Sequence, residues 1–225
     1  RTQIPNGGDG AFDAALVDLN GDGRLDIFSL NIGCSNFENM NCNPLTTGRD
    51  TLLVNMGNLA WEDRSNLVPH DAAQVHDHKF ELVDVDGNGK PDLVINVDNK
   101  NFRGAAGPPR HRVLLNFFPA AFEERSPPDL RNIVGDVYGI AAGDIDGDGR
   151  VDVVQPSFSP SAPGQFGVGT PGSTILLMGR PGGDFIRDNN RGIPVLDDPT
   201  INVALHDMDG DGDLEIFSVN LGGVT

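Results

Sequence analysis

The chain has 225 residues, 33 of them Asp or Glu against 16 Lys or Arg, for a formal net charge of −17. That balance argues against nucleic acid or an anionic membrane surface as partner, since either would repel it. No apolar run approaches the roughly 20 residues of a membrane span, so no membrane insertion is expected. The charge is interleaved with Val, Ile, Leu and Phe along the whole length, unlike a disordered acidic tail. With 29 glycines, 16 prolines and only short apolar runs, the pattern predicts an all-β chain of many short strands joined by turns.

In chain order, Ala14-Ala-Leu-Val17 predicts a strand. The acidic segment Asp18-Leu-Asn20-Gly-Asp22-Gly-Arg24-Leu-Asp26 follows, and then a second strand, Ile27-Phe-Ser-Leu30. Cys34 and Cys42 come next, eight residues apart in a polar stretch. A metal pair would want closer spacing and further ligands. A local disulfide is the expected state, with two unpaired thiols the alternative. Leu52-Leu-Val-Asn55 then leads to Trp61-Glu-Asp-Arg-Ser65, read as two more strands.

A histidine-rich stretch with His70, His76 and His78 precedes the second copy of the acidic segment, Asp84-Val-Asp86-Gly-Asn88-Gly-Lys90-Pro-Asp92. The apolar strand after it is followed by Arg110, His111 and Arg112, a small basic cluster expected in a solvated turn. Leu114-Leu-Asn116 and Phe122-Glu-Glu-Arg-Ser126 then repeat the earlier strand pair. The third copy is Asp144-Ile-Asp146-Gly-Asp148-Gly-Arg150-Val-Asp152, with a looser strand pair at Ile175-Leu-Leu177 and Phe185-Ile-Arg-Asp188. The fourth is Asp207-Met-Asp209-Gly-Asp211-Gly-Asp213-Leu-Glu215, reached after steps of 66, 60 and 63 residues between first aspartates. Long linkers interrupt the period at 31–50, 98–111 and 156–173, the last rich in Pro, Gly and Ser. Such insertions commonly carry recognition surfaces.

Four copies in near-constant register point to one chemistry. Side-chain oxygens at loop positions 1, 3, 5 and 9, with the main-chain carbonyl of position 7, can surround a hard cation. The predicted ligands are therefore Asp18, Asn20, Asp22, Arg24 and Asp26; Asp84, Asp86, Asn88, Lys90 and Asp92; Asp144, Asp146, Asp148, Arg150 and Asp152; and Asp207, Asp209, Asp211, Asp213 and Glu215. Of these, Arg24, Lys90, Arg150 and Asp213 contribute only a carbonyl. Calcium takes six to eight oxygens at irregular angles, whereas magnesium prefers a strict octahedron and retains water. The lack of His and Cys ligands disfavours zinc. Glycine at position 6 allows the sharp turn that lets the carboxylates converge. Position 12 is Ser29, Ile95, Gln155 or Ser218 rather than Glu, and the flanks read as strands, so the loops are not EF-hands. Metal-free Asx turns are the alternative, opposed by the repulsion among three or four convergent carboxylates. Fourteen of the 33 acids would be ligands, and four calcium ions would bring the formal charge to −9.

Each period thus predicts four antiparallel strands with the acidic loop between the first and second. A unit of ~60 residues that cannot cover both its faces alone points to radial stacking, as blades of a β-propeller. The expected blades span about 8–66, 74–127 and 135–190, with a partial blade at about 198–225, in one repeat domain of about three and a half blades. The loop, the apolar strand after it and the Leu-Leu-x-Asn…Phe/Trp-Glu-Asp segment together resemble FG-GAP/VCBS-type repeats, the integrin-α-like propeller repeats also found in cartilage-acidic-protein-like proteins. The resemblance covers nearly the whole chain. It implies calcium-loaded blades of an extracellular propeller, with the ligands at the positions given above.

The last blade reads as lacking its outer half. The chain is therefore expected to be a piece of a longer protein, or else to complete its strands with further copies of itself as a homo-oligomer or filament. The function expected is non-enzymatic: a secreted or cell-surface module for protein or glycan interaction, adhesion or assembly. The alternative is a polysaccharide-lyase-type enzyme or a lectin on the same scaffold, for which His70, His76 and His78 are the candidate acid/base groups.

Overall fold

Runs that are apolar at every residue, rather than at every second one, demand a sheet covered on both faces, and that demand organises the chain. The computed structural model describes residues 11–31, 49–69, 77–97, 111–126, 139–156, 158–160, 169–171, 174–188 and 200–220. Regular structure there is antiparallel β apart from one 3-10 turn, Ser65–Leu67. No helix among the described residues is long and apolar enough to cross a membrane.

The first sheet is an up-and-down meander of β1 (Ala11–Val17), β2 (Asp26–Asn31), β3 (Thr51–Gly57) and β4 (Ala60–Asp63). The second repeats it with β5 (Asp77–Val83), β6 (Asp92–Val97), β7 (Arg112–Leu115) and β8 (Glu123–Glu124). The third uses β9 (Ala141–Gly143), β10 (Asp152–Gln155), β13 (Ile175–Arg180) and β14 (Asp184–Arg187). A separate hairpin of β11 (Phe158–Pro160) and β12 (Gly169–Pro171) lies between its second and third strands. β15 (Thr200–His206) and β16 (Glu215–Asn220) reproduce only the first two strands of the pattern among the described residues. The 156–173 linker thus contains paired strands that its Pro, Gly and Ser content concealed. Cys34, Cys42, His70, His76 and Arg110 lie outside the described residues.

Registers repeat as closely as the sequences do. Val17 pairs with Asp26, Val83 with Asp92, Gly143 with Asp152 and His206 with Glu215. Each acidic loop is therefore closed at the same rung, with position 9 as the first residue of the second strand. The other end of the first strand also repeats. The ladder slips between Ala11 and Asp13, between Asp77 and Lys79, and between Thr200 and Asn202. Phe12, His78 and Ile201 are accordingly the extra residues of three equivalent β-bulges, which bend and twist the strand locally.

Successive residues of a strand point to opposite faces, so each central sheet feeds two cores. Leu93 and Ile95 of β6 join Phe28, Leu30, Leu52 and Val54 of the first sheet, with the Phe28 and Phe80 rings edge to face at 5.0 Å. Val94, one residue along, packs instead with Val153, Ile175 and Leu177 of the third sheet. Leu176 and Met178 pass through the third sheet to meet Val203, with Leu205 and Ile216 packed against them. The four units therefore stack in chain order, each pair enclosing an apolar core. Burying a side chain of this size contributes about 1.5–3 kcal/mol.

Polar ties cross the same boundaries. Arg112, expected in a solvated turn, is instead buried, pairs with Asp50 of the first unit at 3.6 Å and donates to the Pro69 carbonyl. His111, expected beside it in that turn, is also buried, against the Gln155 amide of the third sheet. Burial holds its imidazole well below the ordinary value, at about 3, so it stays neutral. Their burial has a simple cause. Arg112 opens β7, and a strand in the middle of a stack has no solvated face on which to place its first residues.

Candidate metal centres

The acidic loops share a local hydrogen-bond scheme set by their spacing. Position 1 accepts from the backbone of the turn it spans: Gly23 N–H donates to Asp18 at 2.7 Å, Gly89 to Asp84 at 2.7 Å, Gly149 to Asp144 at 2.8 Å and Gly212 to Asp207 at 3.0 Å. Position 3 accepts from the amide of position 5, and position 5 from that of position 7, in every loop. These turns need left-handed backbone at positions 4 and 6. The glycines there have φ between 75° and 97°. Gly149 has no heavy atom within 4 Å of a built Cβ, so a methyl group fits and only the dihedral is strained. Gly149→Ala is therefore expected to cost about 1–2 kcal/mol. That is a fall of about 3–6 °C in Tm, measurable by calorimetry.

Position 9 is the buried member. Asp26, Asp92 and Asp152 are fully enclosed, each tied through one oxygen to the amide of position 2 in its own loop. Leu19 donates at 3.1 Å, Val85 at 2.8 Å and Ile145 at 3.0 Å. The other oxygen accepts from the end of the third strand: Asn55 at 2.8 Å, Asn116 at 2.7 Å and Gly179 at 2.7 Å. The carboxylate thus fastens loop to sheet. Glu215, its counterpart in the fourth loop, reaches the Met208 amide at 2.7 Å with its longer side chain.

Carboxylate oxygens of positions 1, 3 and 9 come within 4.8 Å of one another in three loops: Asp84, Asp86 and Asp92; Asp144, Asp146 and Asp152; Asp207, Asp209 and Glu215. The first loop places Asp18 and Asp26 in the same scheme, with the Asn20 amide oxygen at position 3. Position 5 is turned differently. Asp22 and Asp148 form ion pairs with Arg24 and Arg150 of their own loops. The position 7 side chains also reach the third strand or the turn that follows it. Arg24 donates to the Asn55 carbonyl, Lys90 to that of Phe118 and Arg150 to that of Gly179. Asp213 of the fourth loop breaks that pattern, which leaves Asp207–Glu215 with five acids and no base.

Electrostatics divides the ligands. Burial raises the Asp26, Asp92 and Asp152 carboxyls above their ordinary value, and nearby loop aspartates raise them further, against the lowering effect of the backbone donors. For Asp18 burial also acts upward, but donation from Gly23, Gly21, Asp22 and Asn20 outweighs it and holds the carboxyl below the ordinary value. Without a cation the first loop therefore sets one easily ionised carboxylate, Asp18, beside one that burial disfavours as an anion, Asp26. A bound cation removes that conflict, and three carboxylates with an all-oxygen donor set fit a hard divalent ion.

Each of these clusters can hold a metal ion. The residues that sequence reasoning missed are the clamps, Asn55, Asn116 and Gly179. A signal for two of them was present, in the repeated asparagine ending Leu52-Leu-Val-Asn55 and Leu114-Leu-Asn116. No protein-family model matches the chain, and no curated protein matches it.

Proposed function

We propose that the chain is a calcium-stabilised, non-enzymatic propeller module that works in a secreted or cell-surface setting as an interaction or assembly unit. The observation that carries this reading is the recurrence of one carboxylate cluster at the same rung of successive stacked sheets. Each cluster sits where a cation would join a surface loop to the buried start of the second strand. Radial blades are supported by the contacts of β1 with β5, β5 with β9, and β9 with β15. One edge strand of each sheet thus lies against that of the next, as strands around a common axis do. The resemblance to FG-GAP/VCBS-type repeats supports the same assignment.

Calcium is favoured by chemistry. The donors are oxygens only, and the position 6 glycines let the loop follow an irregular shell. Extracellular modules bind calcium at about 10⁻⁴–10⁻³ M, a range suited to loops on the surface of a sheet stack. The module then offers its partner, a protein, a glycan or another copy of itself, a rigid scaffold from which the inserted segments project.

Calcium titration followed by calorimetry tests the assignment, with magnesium as competitor. The expected result is four calcium ions per chain, retained against an equal concentration of magnesium. No heat of binding at millimolar calcium, or preference for magnesium, would overturn it.

A further inference from the structure

Resting on the calcium reading above, we propose that the first and second loops are coupled cation sites, linked through the side chain of Asn116, while the third loop fills independently of them. Asn116 is fully buried near the boundary between the first and second sheets. Its side-chain amide donates to the Leu19 carbonyl in the first loop at 2.8 Å, and to the Pro91 carbonyl in the second loop at 3.0 Å. Its backbone N–H donates to Asp92 at 2.7 Å. Its side-chain oxygen accepts from Phe118 at 2.9 Å, which fixes the orientation of the amide.

The link is continuous at both ends. Leu19, whose carbonyl accepts from Asn116, also donates its backbone N–H, on the preceding peptide unit, to Asp26, the buried position 9 carboxylate of the first loop, at 3.1 Å. The path therefore runs from Asp26 through the backbone of Leu19 and through Asn116 to Asp92. Leu19, Asp26, Asp92 and Asn116 are all excluded from solvent, so water does not compete for these bonds, and the position of one residue constrains the next. A cation on Asp18 and Asp26 orders the backbone on both sides of Leu19. The Leu19 carbonyl holds Asn116, and Asn116 holds Asp92 in its binding orientation. Ordering that accompanies filling of the first loop is then already present when the second fills, and thermodynamic linkage makes the effect reciprocal.

The next boundary lacks this device. Gly179 occupies the place of Asn116 in the third sheet and donates its backbone N–H to Asp152 in the same way, at 2.7 Å. It has no side chain to send to the second loop. A Cβ built on it would come within 2.3 Å of the Val151 carbonyl, so the backbone there leaves no space for an asparagine. Asn55 in the first sheet sends its amide to the Leu25 carbonyl of its own loop, at 3.1 Å.

Loop-by-loop titration tests the coupling. The amides of Gly23, Gly89, Gly149 and Gly212 each donate to a position 1 carboxylate, so their NMR resonances report their own loops as calcium is added. Asp18→Asn removes a ligand charge from the first loop. It is expected to raise the calcium midpoint at Gly89 about fivefold or more and to leave that at Gly149 unchanged. In an Asn116→Gly background, which copies the residue the third sheet already carries, Asp18→Asn is expected to leave Gly89 unmoved. A response at all four glycines with Gly89 indifferent to Asp18→Asn, or with Gly89 and Gly149 shifting equally, would overturn the coupling alone. No response to calcium at any of the four would overturn the cation assignment and the coupling with it. If Asn116→Gly does not fold, the comparison of Gly89 with Gly149 in the otherwise native chain still decides.

Discussion

In saturating calcium the chain is expected to melt roughly 20–40 °C higher than in chelator at about pH 7, and the gap is expected to narrow as the pH falls towards the ordinary carboxylate value of 3.8. A ligand present at a hundred times its Kd stabilises by about 2.7 kcal/mol per site, so four sites contribute on the order of 10 kcal/mol. That is comparable to the whole stability of an ordinary domain, about 5–15 kcal/mol, so the cation-free chain is marginal.

The pH dependence follows from the position 9 carboxyls. Asp26, Asp92 and Asp152 are held above 3.8 in the cation-free fold. Folding therefore takes up protons, and their stabilising effect is complete below 3.8 and lost as pH rises through the raised values. With calcium bound the same groups must stay ionised, so acid competes with the ion and the sign reverses. Asp18, held low, acts only at and below 3.8, outside this window. His111, held at about 3 against an ordinary 6.5, loses stability as pH falls below 6.5 in both conditions, so it cancels from the difference. Melting curves with and without chelator at the two pH values give the result. A gap that stays constant would mean that these three aspartates do not meet the ion.

Asp92→Ala is expected to lose about 3–5 kcal/mol even in chelator, and more in calcium. The Val85 and Asn116 amides both donate to this carboxylate, at 2.8 and 2.7 Å, and both would be left buried without an acceptor. A buried donor stranded in this way costs about 1–3 kcal/mol. Asp92→Asn separates the two roles of the residue. It removes the buried charge but keeps only one acceptor and turns an NH2 group towards the other amide donor, so in chelator it is expected to cost about 1–3 kcal/mol, less than Asp92→Ala. In calcium it should lose most of the contribution of the second site. Chemical denaturation of both variants in both conditions provides the check. An Asp92→Asn penalty of equal size with and without calcium would make the residue a structural clamp and nothing more.

Much of this was legible in the residues. The all-β character, the four-strand unit and the places of the acidic loops could be read because each rests on local chemistry: turn residues, apolar runs and a nine-residue ligand spacing. Other features could not. Arg112 reads as surface on charge alone, and only the stacking of one sheet on another encloses it with Asp50. The β11–β12 hairpin is hidden by its prolines, because pairing is a property of two segments and composition belongs to one.

The sequence by itself determined which residues could meet a cation, since spacing along nine consecutive residues sets which carboxylates a tight glycine turn can bring together. It also determined that the sheets must stack, since strands apolar at every position have no face to give to water. Only the tertiary structure decided that position 9 is the buried anchor and position 5 the outward one. Only it decided that the third strand clamps that anchor, and that Asn116 joins two loops which lie far apart in the chain. The reason is that burial and long-range hydrogen bonds are made between units. A repeat carries its own turn, but its environment is supplied by its neighbours.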